Sequence, residues 1–90
     1  MDVEDNLRRL LRERPEYRDI LERAVHVEDE PPNEFIRDYG WEWHNVAALP
    51  ARLTKLVTEG ILTIPYKSRR FTHYKLANKE IIRRVLRQPL

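Results

Sequence analysis

The chain has 90 residues, 17 of them Lys or Arg and 15 Asp or Glu, for a formal net charge of +2. That length supports one modest core, with no room for an enclosed active-site cleft beside it. With no cysteine, a disulfide framework and a Cys-ligated zinc finger are both excluded, and no apolar run reaches the length of a membrane span or a signal-peptide core.

Charge is unevenly placed. Residues 1–40 carry twelve acids and seven bases, residues 41–60 two of each, and residues 61–90 eight bases against the single acid Glu80. Such asymmetry predicts a basic contact surface on one side, or two halves that neutralise each other within the fold.

In chain order, Val3 to Arg14 reads as a first helix. Val3, Leu7, Leu10 and Leu11 form its apolar stripe, and Glu4/Arg8 and Asp5/Arg9 are i,i+4 pairs on the wet side. Pro15 ends it, and Tyr17, Ile20, Leu21, Ala24 and Val25 repeat the pattern in a second helix to about Val27. The acids Glu28, Asp29 and Glu30 with Pro31 and Pro32 read as a solvated break. Asn33 is a fitting N-cap for a short helix with Phe35, Ile36 and Tyr39 facing inward, closed by Gly40.

Trp41 to Asn45 reads as an extended turn that puts both tryptophans on one side, anchored against the core. Next come Val46, Leu49, Leu53, Leu56 and Val57 at helical spacing. Pro50 is tolerated only in a first turn, so the reading is a single-turn prelude at Val46 to Ala48 and a main helix from Pro50 to Glu59, closed by Gly60. Its outward residues are Ala48, Ala51, Arg52, Lys55, Thr58 and Glu59. Ile61, Leu62 and Ile64 begin a strand, Lys67 to Arg70 form a basic tip, and Thr72, Tyr74 and Leu76 alternate on one face of the return strand, leaving His73 and Lys75 outward. Asn78 caps a last helix that packs Ile81, Ile82, Val85 and Leu86.

Helix, glycine, apolar strand, basic hairpin and closing helix, running through WHNVAALPARLTKLVTEGILTIPYKSRRFTHYKL, resemble the winged helix-turn-helix superfamily. The resemblance implies a mainly α fold with a small β-hairpin: a three-helix core plus a two-stranded wing over residues 16–90, preceded by an extra N-terminal helix over residues 1–15 and ending in a C-terminal helix. It also implies double-stranded DNA as partner, with the helix near 50–59 as reader in the major groove and the wing at 66–75 on phosphates or in the minor groove. A small transcription regulator and a module of a larger replication, repair or helicase protein both fit, in the cytoplasm on the nucleoid or in a eukaryotic nucleus. Two features depart from the pattern. The tip lacks the Gly, Asn or Asp of many wings, and Pro65 implies an edge strand.

The residues expected to touch nucleic acid are Arg52 and Lys55, three apart on one helical face, and Lys67, Ser68, Arg69, Arg70, His73 and Lys75 on the hairpin. Six donors there exceed what edge protection needs. Tyr66 and Phe71 either stack on bases of single-stranded DNA or RNA or brace the hairpin as a cross-strand pair. Arg83, Arg84 and Arg87 extend a phosphate track or pair with the acidic first half. The N-terminal helix is either a homodimer element or part of the monomer's core. His26 and His44 lack companions at metal-ligand spacing. No nucleophile motif, phosphate loop, metal site or cofactor site is legible, so an enzyme is not expected. The competing reading is a protein-interaction domain that uses the acidic half and the Trp41/Trp43 pair.

Overall fold

A computed structural model describes residues 2–88, which form five helices and a two-stranded antiparallel hairpin. The helices are α1 (Val3–Glu13), α2 (Glu16–Asp29), α3 (Glu34–Tyr39), α4 (Pro50–Thr58) and α5 (Lys79–Arg87); the strands are β1 (Leu62–Lys67) and β2 (Thr72–Leu76).

The helix ends follow from their residues. The Asp2 carboxylate accepts the Asp5 N–H at 2.9 Å to start α1, and Glu4 and Asp5 in its first turn suit the positive end of the helix dipole. Asn33 caps α3 through the Ile36 N–H (2.8 Å), and Asn78 caps α5 through the Ile81 N–H (3.1 Å). Pro50 is the first residue of α4, where its missing N–H costs nothing. The single turn before α4 is a 3-10 turn at Trp43–Asn45 rather than at Val46 to Ala48. Ala47 then takes a left-handed φ of 52° to aim the chain into α4.

The stripes of α1 and α2 meet in one core. Leu7, Leu10 and Leu11 are buried with Tyr17, Ile20, Leu21 and Ala24, and with Leu53 and Leu56 of α4 and Ile82 and Val85 of α5. The stripe of α1 therefore completes the monomer's core, and the surface that a dimer element would have offered is covered. The Asp5/Arg9 pair is not formed. Arg9 reaches across to Glu59 at 2.8 Å, and the Asn6 side-chain amide donates to the Glu59 carbonyl at 3.1 Å, tying α1 to the end of α4.

Glu28 does not lie in a solvated break. Helix α2 continues through Asp29, and the Glu28 Oε2 accepts both the Trp41 indole N–H (2.9 Å) and the Leu76 backbone N–H (2.8 Å). Trp41 is 1% exposed and exchanges backbone hydrogen bonds with Tyr74 at 3.0 and 2.7 Å, so β2 is flanked by β1 on one edge and by Trp41 on the other. Gly40 makes this approach possible. Its φ is +108°, and a Cβ there would stand 2.6 Å from the Tyr74 carbonyl oxygen.

The hairpin register pairs Leu62 with Leu76 and Thr63 with Lys75, then shifts so that Tyr66 faces His73 and Lys67 faces Thr72. One extra residue in β1 accounts for the shift, and Pro65, which cannot donate to the ladder, lies in that bulge. Leu62, Tyr74 and Leu76 are buried on the core face. Burial pushes the Tyr74 phenol pKa above its usual value.

Candidate nucleic-acid interface

The hairpin carries a cluster of cationic residues that the fold leaves free. Four residues, Ser68 to Phe71, separate the strands. Ser68 holds this turn: its N–H donates to the Phe71 carbonyl at 2.8 Å and its Oγ accepts the Phe71 N–H at 3.1 Å. Its hydroxyl is thus occupied locally. Lys67, Arg69 and Arg70 are exposed, and among the described residues none of them has a carboxylate within 4.0 Å.

Elsewhere many of the basic residues are paired, although Arg12, Arg14, Arg23 and Arg87 have no carboxylate within 4.0 Å among the described residues. Lys79 and Arg83 both bind Asp29, the former at 2.6 Å, and Arg84 binds Glu4, so three of the four basic residues of α5 are paired with the acidic half of the chain. On α4, Arg52 lies 3.7 Å from Glu16 with its guanidinium 5.9 Å over the Tyr17 ring, and Lys55 lies 3.0 Å from Glu59. Both keep half-exposed side chains, but each reaches a nucleic acid only by leaving an acid. The Lys55 ammonium, and after it Arg9, holds the Glu59 carboxyl below its usual pKa. Ala48, expected on the outward face of α4, is buried.

His73 is a correction. The alternation of β2 placed it outward, yet it is 3% exposed and its Nδ1 lies 2.9 Å from the Gly40 carbonyl. A carbonyl only accepts, so Nδ1 carries the proton. The reason is tertiary: α3 covers the second face of the hairpin, and alternation cannot report a helix laid over that face from thirty residues upstream. Lys75, on the same face, is half-buried with its Nζ 3.5 Å from the Asp38 carbonyl. Of the eight residues expected at the interface, Lys67, Arg69 and Arg70 are brought together unpaired at the tip; Arg52 and Lys55 stand apart on α4, and Ser68, His73 and Lys75 serve the hairpin and its contact with α3.

The covering helix supplies what the sequence pattern missed. Only Ile36 of α3 reaches the core, while Phe35 and Tyr39 remain 47% and 45% exposed. Their rings lie 4.6 Å apart and meet Tyr66 at 5.9 and 5.1 Å, with His73 beneath at 5.2 Å from Phe35 and 5.3 Å from Tyr66. Tyr66 is thus engaged with α3 rather than braced against Phe71, which is itself 48% exposed. The i,i+4 spacing of Phe35 and Tyr39 on a helix of six residues was the available signal, because so short a helix cannot turn two faces to the core. The tryptophans also part company: Trp41 is buried, whereas Trp43, in the 3-10 turn, is 47% exposed, as is Leu49 just before α4 at 65%.

Among the described residues no helix is long and apolar enough to cross a membrane, and no group of three His, Asp or Glu side chains is placed to hold a metal ion. Compared with protein-family models, curated proteins and solved structures, the chain matches none.

Proposed function

We propose that this chain is a DNA-binding domain of the winged-helix type, serving either as a small transcription regulator or as a DNA-binding module of a larger DNA-processing protein. The observation that carries this reading is the hairpin tip, where Lys67, Arg69 and Arg70 stand exposed with no acid partner among the described residues while the basic residues Lys79, Arg83 and Arg84 of α5 are paired. Unpaired Arg and Lys at a protruding turn neutralise phosphates at little desolvation cost, and Arg suits a narrow minor groove. Helix α4 takes the reader position, with Arg52 as the residue able to fork onto a guanine edge once it leaves Glu16.

The test is fluorescence anisotropy of a labelled random-sequence duplex, titrated between about 50 and 200 mM salt. Affinity should fall steeply with salt, and Arg69→Ala/Arg70→Ala should weaken binding and flatten the slope of log K against log salt by about two phosphate contacts. Absence of binding at the lowest salt would sink the reading. A protein-interaction domain would then take its place, favoured by one specific observation, the exposure of Trp43 and of Leu49.

A further inference from the structure

The face where α3 lies on the hairpin offers something that a duplex contact does not use. Phe35, Tyr39 and Tyr66 form one cluster with neighbouring ring centroids 4.6–5.9 Å apart, each ring between 38% and 47% exposed. Tyr66 directly precedes Lys67 in β1, which brings the cluster up to the cationic tip, and Phe71, 48% exposed, follows Arg70 in the turn. The cluster's anchoring is firm: His73 fills the floor and is fixed by its bond to the Gly40 carbonyl. The acids nearest in sequence weaken the positive field only in part. Asp38 is paired with Arg37 at 3.0 Å, which leaves Glu34 on this helix.

Half-exposed rings next to unpaired cations match a ligand with accessible π faces beside anionic groups. A closed duplex presents phosphates and base edges, but its base faces are stacked on one another. Unpaired nucleotides present both. Resting on the reading of the tip as a phosphate contact, we propose that the α3–hairpin face binds single-stranded nucleic acid, with bases stacked on Phe35, Tyr39 and Tyr66 and the adjoining phosphates on Lys67, Arg69 and Arg70. The preferred ligand is then a duplex that continues into a single strand.

The experiment compares the anisotropy-derived affinities of a blunt duplex, the same duplex with an oligothymidylate tail of about 15 nucleotides at either end, and the tail alone. The protein is tested as wild type, Phe35→Leu/Tyr39→Leu and Tyr66→Leu, with thermal unfolding to verify that each variant is folded. Leucine keeps the apolar bulk and removes the π face. A tail should tighten wild-type binding about tenfold or more, and both variants should lose that gain while keeping blunt-duplex affinity. A wild type indifferent to the tail, or a gain that survives in both folded variants, overturns the proposal and leaves the duplex reading standing. Tail binding that depends on the rings, with no blunt-duplex binding, sustains the proposal and removes the duplex reading. Tail indifference together with a wild-type dimer in sedimentation that Phe35→Leu/Tyr39→Leu dissolves would overturn it by assigning the face to a second copy of the chain.

Discussion

Glu28 ties three elements together with one oxygen. From α2 it accepts the Trp41 indole and the Leu76 backbone N–H, joining the helix to the turn and to β2. Removing it leaves two donors without a partner, one on a residue that is 1% exposed, and an orphaned buried donor costs about 1–3 kcal/mol. Glu28→Ala should therefore lower unfolding stability by about 2–4 kcal/mol in a urea titration, whereas Glu28→Gln, which keeps a carbonyl acceptor at the same place, should lose less. Equal losses would show that the charge, rather than the acceptor, is what matters. In the sequence Glu28 is one of three acids in a row before two prolines, a pattern that reads as solvent-facing. Its role depends on Trp41 and Leu76, thirteen and forty-eight residues away. His73 belongs to the same class, placed by alternation on an open face and buried by α3.

At the scale of elements, the local signals were sufficient wherever an element makes its own boundaries. Asn33 and Asn78 as caps, Pro50 as the first residue of α4 and the left-handed glycines at 40 and 60 are properties of short windows of chain, decided by backbone sterics and by donors that need acceptors. The destination of a stripe is another matter. The stripe of α1 suits a dimer seam and a monomer core equally well; the structure buries Leu7, Leu10 and Leu11 against α2, α4 and α5 in the same chain. Leu11→Ala should then cost about 2–5 kcal/mol, with an unfolding midpoint independent of protein concentration. A midpoint that rises with concentration would instead mean that α1 packs between subunits.

Across the whole molecule, opposite charges from the two ends of the sequence meet. Arg84, and next to it Arg8, holds the Glu4 carboxyl below its usual 4.5; Lys79, with Arg83, does the same to Asp29 below 3.8; and Lys55, with Arg9, to Glu59 below 4.5. A carboxylate whose folded pKa is depressed contributes stability that is fully present above its unfolded value and is lost as pH falls through the folded one. The melting temperature should thus stay level from pH 7 to about 5 and fall below about 4.5. Asp29→Asn should melt lower at neutral pH and lose less on acidification, and added salt should narrow the difference because the pairs are partly exposed. Parallel curves for the two proteins would remove these ion pairs from the account.

The sequence by itself determined the order of helices and hairpin, the caps and stops, the core stripes of α1, α2 and α5, and the concentration of basic residues in the last third. These follow from spacing, backbone preference and composition, which act over a few residues at a time. Only the tertiary structure decided which of those charges remain free. It paired Lys79, Arg83 and Arg84 of α5 with the acidic half, engaged Arg52 and Lys55 with Glu16 and Glu59, and left Lys67, Arg69 and Arg70 unpaired at the hairpin tip. It likewise laid α3 over the hairpin, burying His73 and leaving Phe35 and Tyr39 half open. Ion pairing and burial depend on which distant segments come within a few ångströms of each other, and no local pattern of residues carries that information.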